Sequence, residues 1–229
     1  MYIQSEILKN IEAIIFDLDG SLVDSMWIWP EVDEEYFVKY GLTKPEGFYE
    51  EMEGKSYTEV AQLYLDTFPQ LPCTIDEIKQ EWNDMTYEKY CTEVPLKPGA
   101  REMIETLYAQ GVRFGIASSN SIDLVKAVIR ALGVEHYFDS IHTSCEVRTG
   151  KPAPDVYLLA ARDLQIAPEH CLVFEDVPMG ILAGKNAGMR VCAVDDRFSK
   201  NLEEKKRSLA DYYIKDYYDI INHTYEVLV

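Results

Sequence analysis

The chain has 229 residues, enough for one large domain or a domain with an insertion, and 47% of them are apolar, enough for a buried core. Its 22 Lys and Arg stand against 40 Asp and Glu, a formal charge of −18 that repels nucleic-acid backbones and anionic membrane surfaces and so excludes both as natural partners. An anionic ligand must then be held by a local positive site working against the global field.

Met1 to Glu12 carries acids and no apolar stretch long enough for a signal peptide or a membrane span. The five cysteines, Cys73, Cys91, Cys145, Cys171 and Cys192, are odd in number and lack a CxxC pair, and several lie in apolar runs. That usage predicts reduced, buried thiols in a cytoplasmic protein.

The first strand is predicted over Ala13–Asp19, followed by Gly20-Ser21-Leu22-Val23-Asp24-Ser25. Positions i and i+2 of a strand face the same side, so Asp17 and Asp19 are expected to be presented together at its end. Two carboxylates held that close invite a divalent cation, a shared proton or both. A plain strand ending in an Asp-Gly turn has the same local sequence. From Met26 to Val94 the texture is helical, with helices expected over Pro30–Tyr40, Tyr57–Phe68 and Ile75–Tyr90, the last opened by a capping box at Thr74 and Glu77. Pro95, Pro98 and Gly99 close this stretch.

Strand signals then alternate with helix-length segments: Arg113–Ser119, Ser140–Val147, Cys171–Asp176, Arg190–Asp195 and, more weakly, Asp211–Lys215. The pattern predicts an α/β protein, a parallel sheet with helices on both faces and a helical insert between its first two strands. In such sheets ligands bind beyond the carboxyl ends of the strands. That position is filled by Asp17–Gly20, by Ser118-Ser119-Asn120 ahead of the helix Ile122–Leu132, by the loop after Val147, and by Glu175-Asp176. Ser118, Ser119 and Asn120 suit an anion site at a helix N-terminus, and equally suit ordinary capping. Lys151 stands before Pro152 and Pro154 in a stiff loop, where its ammonium can neutralise both a carboxylate and a phosphate. Gly180, Gly184 and Gly188 let the next helix lie close to the sheet. Asp195-Asp196 is expected in a solvated loop, and Tyr212, Tyr213, Tyr217 and Tyr218 in a strand and helix covering the sheet edge.

The order Asp17-x-Asp19-Gly20, Ser118, Lys151-Pro152-x-Pro154-Asp155 and Glu175-Asp176-x-x-x-Gly180 resembles the haloacid dehalogenase superfamily, in particular its capped phosphatases and β-phosphoglucomutase-like members, over almost the whole chain. The resemblance implies a Rossmann-like three-layer α/β/α core, residues 1–24 and 96–229, with an α-helical cap domain, residues 25–95. It implies a phosphomonoester hydrolase acting on a small phosphorylated metabolite, as a monomer or weak dimer. Asp17 would be the nucleophile and Asp19 the general acid/base. Mg²⁺ would be held by the Asp17 and Asp176 carboxylates and the Asp19 carbonyl, with Glu175 behind it. Ser118 and Lys151, helped by backbone N–H groups near Leu18, Ser119 and Asn120, would bind the phosphoryl oxygens.

Two alternatives stand beside this reading, a phosphomutase and a catalytically idle binding protein on the same scaffold. Similar mutases carry a histidine where this chain has Trp29, which favours hydrolysis. The family's arginine in the specificity loop is absent, with Lys55 in its place, and Val177-Pro178-Met179 departs from the serine that many relatives have there. Trp27 and Trp29 either line the pocket and favour an apolar or aromatic leaving group or pack the seam between cap and core. Lys55 either grips a second anionic group or is solvated.

Overall fold

The computed structural model describes residue 3 and residues 5–228; Met1, Tyr2 and Gln4 of the acidic leader lie outside the described residues. Seven strands, β1 (Ala13–Phe16), β2 (Arg113–Ser118), β3 (Phe138–Thr143), β4 (Cys171–Glu175), β5 (Arg190–Val194), β6 (Tyr212–Ile214) and β7 (Glu226–Val227), form one sheet in the order β3-β2-β1-β4-β5-β6-β7. All neighbours are parallel except β6 and β7. The sheet is Rossmann-like, and the strand order reverses beside β1, which puts the carboxyl ends of β1, β2 and β4 together.

Alternation along each strand builds two cores, one per face. Ile14, Phe16, Leu172, Phe174, Cys192 and Val194 point to one side, where α5 (Ala100–Tyr108) and α6 (Ile122–Ala131) pack. Ala13, Ile15, Cys171, Val173, Val191 and Ala193 point to the other, covered by α7 (Asp155–Leu164) and α8 (Pro178–Asn186). With α9 (Glu203–Leu209) and α10 (Tyr218–Asn222) this makes the expected three layers.

Between β1 and α5 the chain forms four helices, α1 (Ile28–Tyr40), α2 (Phe48–Met52), α3 (Tyr57–Thr67) and α4 (Ile75–Thr92). They pack through aromatic side chains: Tyr36 meets Tyr64 edge-on at 5.6 Å between centroids, and Phe48 meets Tyr64 at 5.1 Å. Both α3 and α4 open with capping boxes, at Ser56 and Glu59 and at Thr74 and Glu77. The chain leaves and re-enters at one place, where Val23 pairs with Leu96 and Asp24 N–H donates to the Pro95 carbonyl at 3.0 Å. Among the described residues no helix is long and apolar enough to cross a membrane.

Several local expectations change. β1 ends at Phe16 rather than Asp19, and β3 runs over Phe138–Thr143 rather than Ser140–Val147, because Thr143 and Glu146 close a capping box that turns the chain into a 3-10 turn. The sequence pattern did not show α2 or β7. Asp195-Asp196 is not a solvated loop. Asp196 is 2% exposed, ion-paired to Lys97 at 2.7 Å, and accepts the Phe198 N–H at 2.8 Å. All five cysteines are free; Cys171 and Cys192 are buried as expected, but Cys73 and Cys91 are half-buried and Cys145 is exposed.

Candidate active site

At the carboxyl end of β1 the backbone leaves the sheet, so Asp17 and Asp19 face different partners. Asp17 Oδ1 accepts from Lys151 Nζ at 2.6 Å, and the same ammonium donates to Glu175 Oε1 at 2.6 Å. Asp19 turns away with Gly20, whose φ of +79° lies in the left-handed region that favours glycine. Asp19 Oδ1 accepts from Ser25 Oγ at 2.5 Å and from the Tyr90 hydroxyl, while Oδ2 accepts from Asn120 Nδ2 at 2.8 Å. Asn120 also donates to Tyr90 Oη at 3.0 Å. Serine, tyrosine and asparagine thus fix one carboxylate, and lysine the other.

β4 delivers the remaining acids. Glu175 is fully buried and saturated: besides Lys151, it accepts from the Tyr157 hydroxyl at 2.9 Å and from the N–H groups of Asp176 and Val177 at 3.0 and 3.3 Å. Asp176 Oδ1 accepts from Ser21 Oγ at 3.1 Å, whereas buried Oδ2 has no donor among the described residues. Asp17, Glu175 and Asp176 each offer an oxygen within 4.8 Å of the others.

Burial sets the electrostatics. It pushes the Asp17 carboxyl up to about 7 against the pull of Lys151, with Glu175 and Asp19 adding to the rise. Burial also raises Asp176, reinforced by Glu175 and Asp17, and raises Asp19 against its three hydrogen bonds. Burial works against the charge on Lys151, but Asp17 and Glu175 outweigh it and hold the ammonium protonated. An orphaned buried oxygen and crowded acids balanced by one lysine make an all-oxygen donor set, which fits a hard divalent cation.

Gly180 shows how tightly this floor is built. A Cβ there would fall 1.7 Å from Glu175 Oε1, so the glycine makes room for the carboxylate as well as for close helix–sheet packing. Gly180→Ala is expected to displace Glu175, destabilise by about 1–3 kcal/mol and cut turnover sharply. Thermal unfolding alongside steady-state kinetics checks both effects; an unchanged melting temperature with full activity contradicts the packing.

Ser118, 1% exposed, accepts the Asn120 N–H at 3.0 Å. Ser119 Oγ is buried without a partner among the described residues, and its carbonyl accepts the Tyr57 N–H at 2.8 Å, tying β2 to α3. These residues, Lys151 and the acids all line one cavity of about 470 Å³, roofed by the four helices. Trp29 and Lys55 also line it. Trp29 packs edge-on against Tyr57 and Tyr90, both within the same set of four helices, so it is a wall of the cavity held from the helical side. Trp27 is not among the lining residues; its Nε1 donates to the Asp24 carbonyl at 3.1 Å and Lys89 lies over its ring. Sequence reasoning missed Ser21, Ser25, Tyr90 and Tyr157. Ser25 was within reach as a hydroxyl six residues from Asp19, but Tyr90, 71 residues away, carries no local signal.

A family model described as haloacid dehalogenase-like hydrolase matches residues 14–194. The bifunctional riboflavin kinase/FMN phosphatase of Arabidopsis thaliana is 32% identical over 195 residues, covering 85% of this chain and 51% of that protein, so the chain spans about half that relative's length. The probable pseudouridine-5′-phosphatase of Drosophila melanogaster is 31% identical over 214 residues, 90% of each chain. Among solved structures, CbbY from Rhodobacter sphaeroides in complex with phosphate superposes with a TM-score of 0.79 at 27% identity, over 90% of this chain and 95% of that one.

Proposed function

The chain belongs to the haloacid dehalogenase-like hydrolase family and is a phosphatase of that family; from this premise we propose that it hydrolyses a small phosphorylated metabolite with Mg²⁺ through an aspartyl-phosphate on Asp17. The observation that carries the reading is the ammonium of Lys151 between Asp17 and Glu175, beside an Asp176 oxygen left without a donor among the described residues.

Asp17 forms the new O–P bond as the ester O–P bond breaks, and Asp19 gives its proton to the leaving oxygen. Asp19 then takes a proton from the water that attacks phosphorus and frees Asp17. Lys151, Ser118 and the backbone N–H groups of Leu18 and Ser119 hold the phosphoryl oxygens. Asn120 acts chiefly through its side chain, which orients Asp19. The Asp17 and Asp176 carboxylates and the Asp19 carbonyl would hold Mg²⁺, whose charge offsets that of the phosphoryl group when bound. Glu175 stays behind, committed to Lys151, Tyr157 and its own backbone. Residues 1–24 and 96–229 form the core in this reading, and 25–95 a cap that closes over the substrate, hinged where Val23 pairs with Leu96.

Release of inorganic phosphate from a panel of small phosphate esters, with Mg²⁺ and with EDTA, tests the proposal; no metal-dependent turnover on any ester sinks it. Metal binding has a separate readout. Asp17 is raised from its ordinary 3.8 to about 7, so the metal-free native state binds more protons than the unfolded chain and its stability falls as pH rises through that window. Mg²⁺ at about 100 times its Kd adds about 2.7 kcal/mol, roughly 5–10 °C in melting temperature. At one fixed Mg²⁺ concentration the gain is expected to be larger at pH 7.5 than at pH 5, because protons compete for Asp17 at the lower pH, as measured by thermal unfolding with EDTA or Mg²⁺.

A further inference from the structure

Tyr90 is fully buried and is not among the residues that line the cavity, so it does not touch a substrate there. Its hydroxyl nevertheless ends on a group that does line it. From the last turn of α4 it donates to Asp19 Oδ1 and accepts from Asn120 Nδ2 at 3.0 Å. Buried side-chain hydroxyls mostly bond to backbone or water, whereas this one is committed to a carboxylate 71 residues away in the chain. The ring behind it is braced by Trp29, edge-on at 6.3 Å between centroids, which gives the hydroxyl a fixed origin.

Each carboxylate oxygen has two lone-pair directions. Asp19 Oδ1 uses both, on Ser25 Oγ at 2.5 Å and on Tyr90. Oδ2 uses one, on Asn120 Nδ2 at 2.8 Å, and Asn120 is itself anchored where its Oδ1 accepts the Ser121 N–H at 2.6 Å. A carboxyl proton needs a free lone pair, so among the described residues the place left for it is Oδ2. A half-turn about the Cβ–Cγ bond would exchange the two oxygens. The pair of O–H donors on Oδ1 opposes that turn, and one of the two comes from α4.

We propose that Tyr90, together with Ser25, clamps Asp19 Oδ1 and so makes Oδ2 the oxygen that gives its proton to the leaving alcohol. The Oδ2–H bond breaks as the leaving oxygen takes the proton and its bond to phosphorus breaks; Oδ2 later regains a proton from the attacking water. Tyr90 keeps its own proton throughout and is a positioning residue. The proposal rests on the phosphatase reading above and adds to that site a residue outside the cavity.

The leaving group separates this role from a structural one. p-Nitrophenolate departs as a stable anion, whereas an alkoxide needs the proton, and kcat/KM reports the steps up to that departure. Two esters are compared in Mg²⁺: p-nitrophenyl phosphate, and the sugar or alkyl phosphate that the wild-type protein turns over fastest. Tyr90→Phe is expected to lower kcat/KM on the alkyl ester by about tenfold or more, part of the roughly 10²–10⁴-fold that general acid catalysis supplies, and on p-nitrophenyl phosphate by less than about threefold. A loss on p-nitrophenyl phosphate as large as on the alkyl ester, or no loss on either, overturns the clamp and leaves phosphatase activity standing. Should Tyr90→Phe melt below the assay temperature, Ser25→Ala removes the other Oδ1 donor with α4 untouched, and the same comparison decides. If the wild-type protein hydrolyses neither ester with Mg²⁺, the phosphatase reading itself fails.

Discussion

Asp17→Asn is expected to lower phosphate release by a factor on the order of 10³ or more while leaving the protein folded. An amide oxygen carries no charge to share with phosphorus, and a nucleophile is the part whose removal a site tolerates least. The substitution is isosteric, and Lys151 keeps Glu175 at 2.6 Å as a counter-ion, so no buried charge is orphaned. It also removes one acid from a crowd in which burial and neighbouring carboxylates already push Asp17 up to about 7. The melting temperature in EDTA is therefore expected to hold or rise as activity disappears. Parallel measurements of turnover and thermal unfolding separate this from simple misfolding. Retention of more than about one hundredth of wild-type activity would show that Asp17 is not the nucleophile.

What could be read from the chain was the part governed by short-range periodicity. Ile14 and Phe16 on one face and Ala13 and Ile15 on the other follow from alternation along the strand, and strands alternating with helices put the functional residues at the carboxyl ends of a parallel sheet, while the adjacency of β1, β2 and β4 came from the structure. Lys151 was legible because a lysine beside two prolines sits in a stiff loop rather than on a flexible helix face. The joint presentation of Asp17 and Asp19 was legible only in outline. Both reach the cavity, but the strand stops at Phe16, and Gly20 turns Asp19 into a separate network.

The donors that sort those carboxylates come from far along the chain. Tyr90 reaches Asp19 from α4 and Tyr157 reaches Glu175 from α7, and no local pattern announces either. Asp195-Asp196 failed for the opposite reason. Two adjacent acids read as solvated, yet Lys97 reaches the Asp195 carbonyl at 2.9 Å and pairs with Asp196 at the end of β5. A buried ion pair is invisible until both partners are placed.

Lys151→Met is expected to be the most damaging single substitution at this site, because it takes away a function and a counter-ion together. Methionine fills similar space, so the loss is electrostatic rather than a cavity. Asp17 and Glu175, 10% and 0% exposed at their side chains, would face each other and Asp176 with no compensating ammonium. Breaking one partner out of a buried pair costs about 3–5 kcal/mol, roughly 10 °C or more in a chain of this size. Lys151 holds Asp17 below the value burial alone would set, so its loss raises the Asp17 pKa further. The cost falls on the ionised form, and the deficit relative to wild type is accordingly expected to be small at pH 5, where the acids can take up protons, and to grow toward pH 8. Urea denaturation at the two pH values measures it. A deficit independent of pH would mean that the loss is one of packing. Mg²⁺ is expected to restore part of the stability and little of the turnover, since a cation between the carboxylates would relieve their repulsion but would not replace the hold on a phosphoryl oxygen proposed for the lysine. In the proposed mechanism stability and catalysis draw on the same ammonium, and adding the metal should pull the two apart.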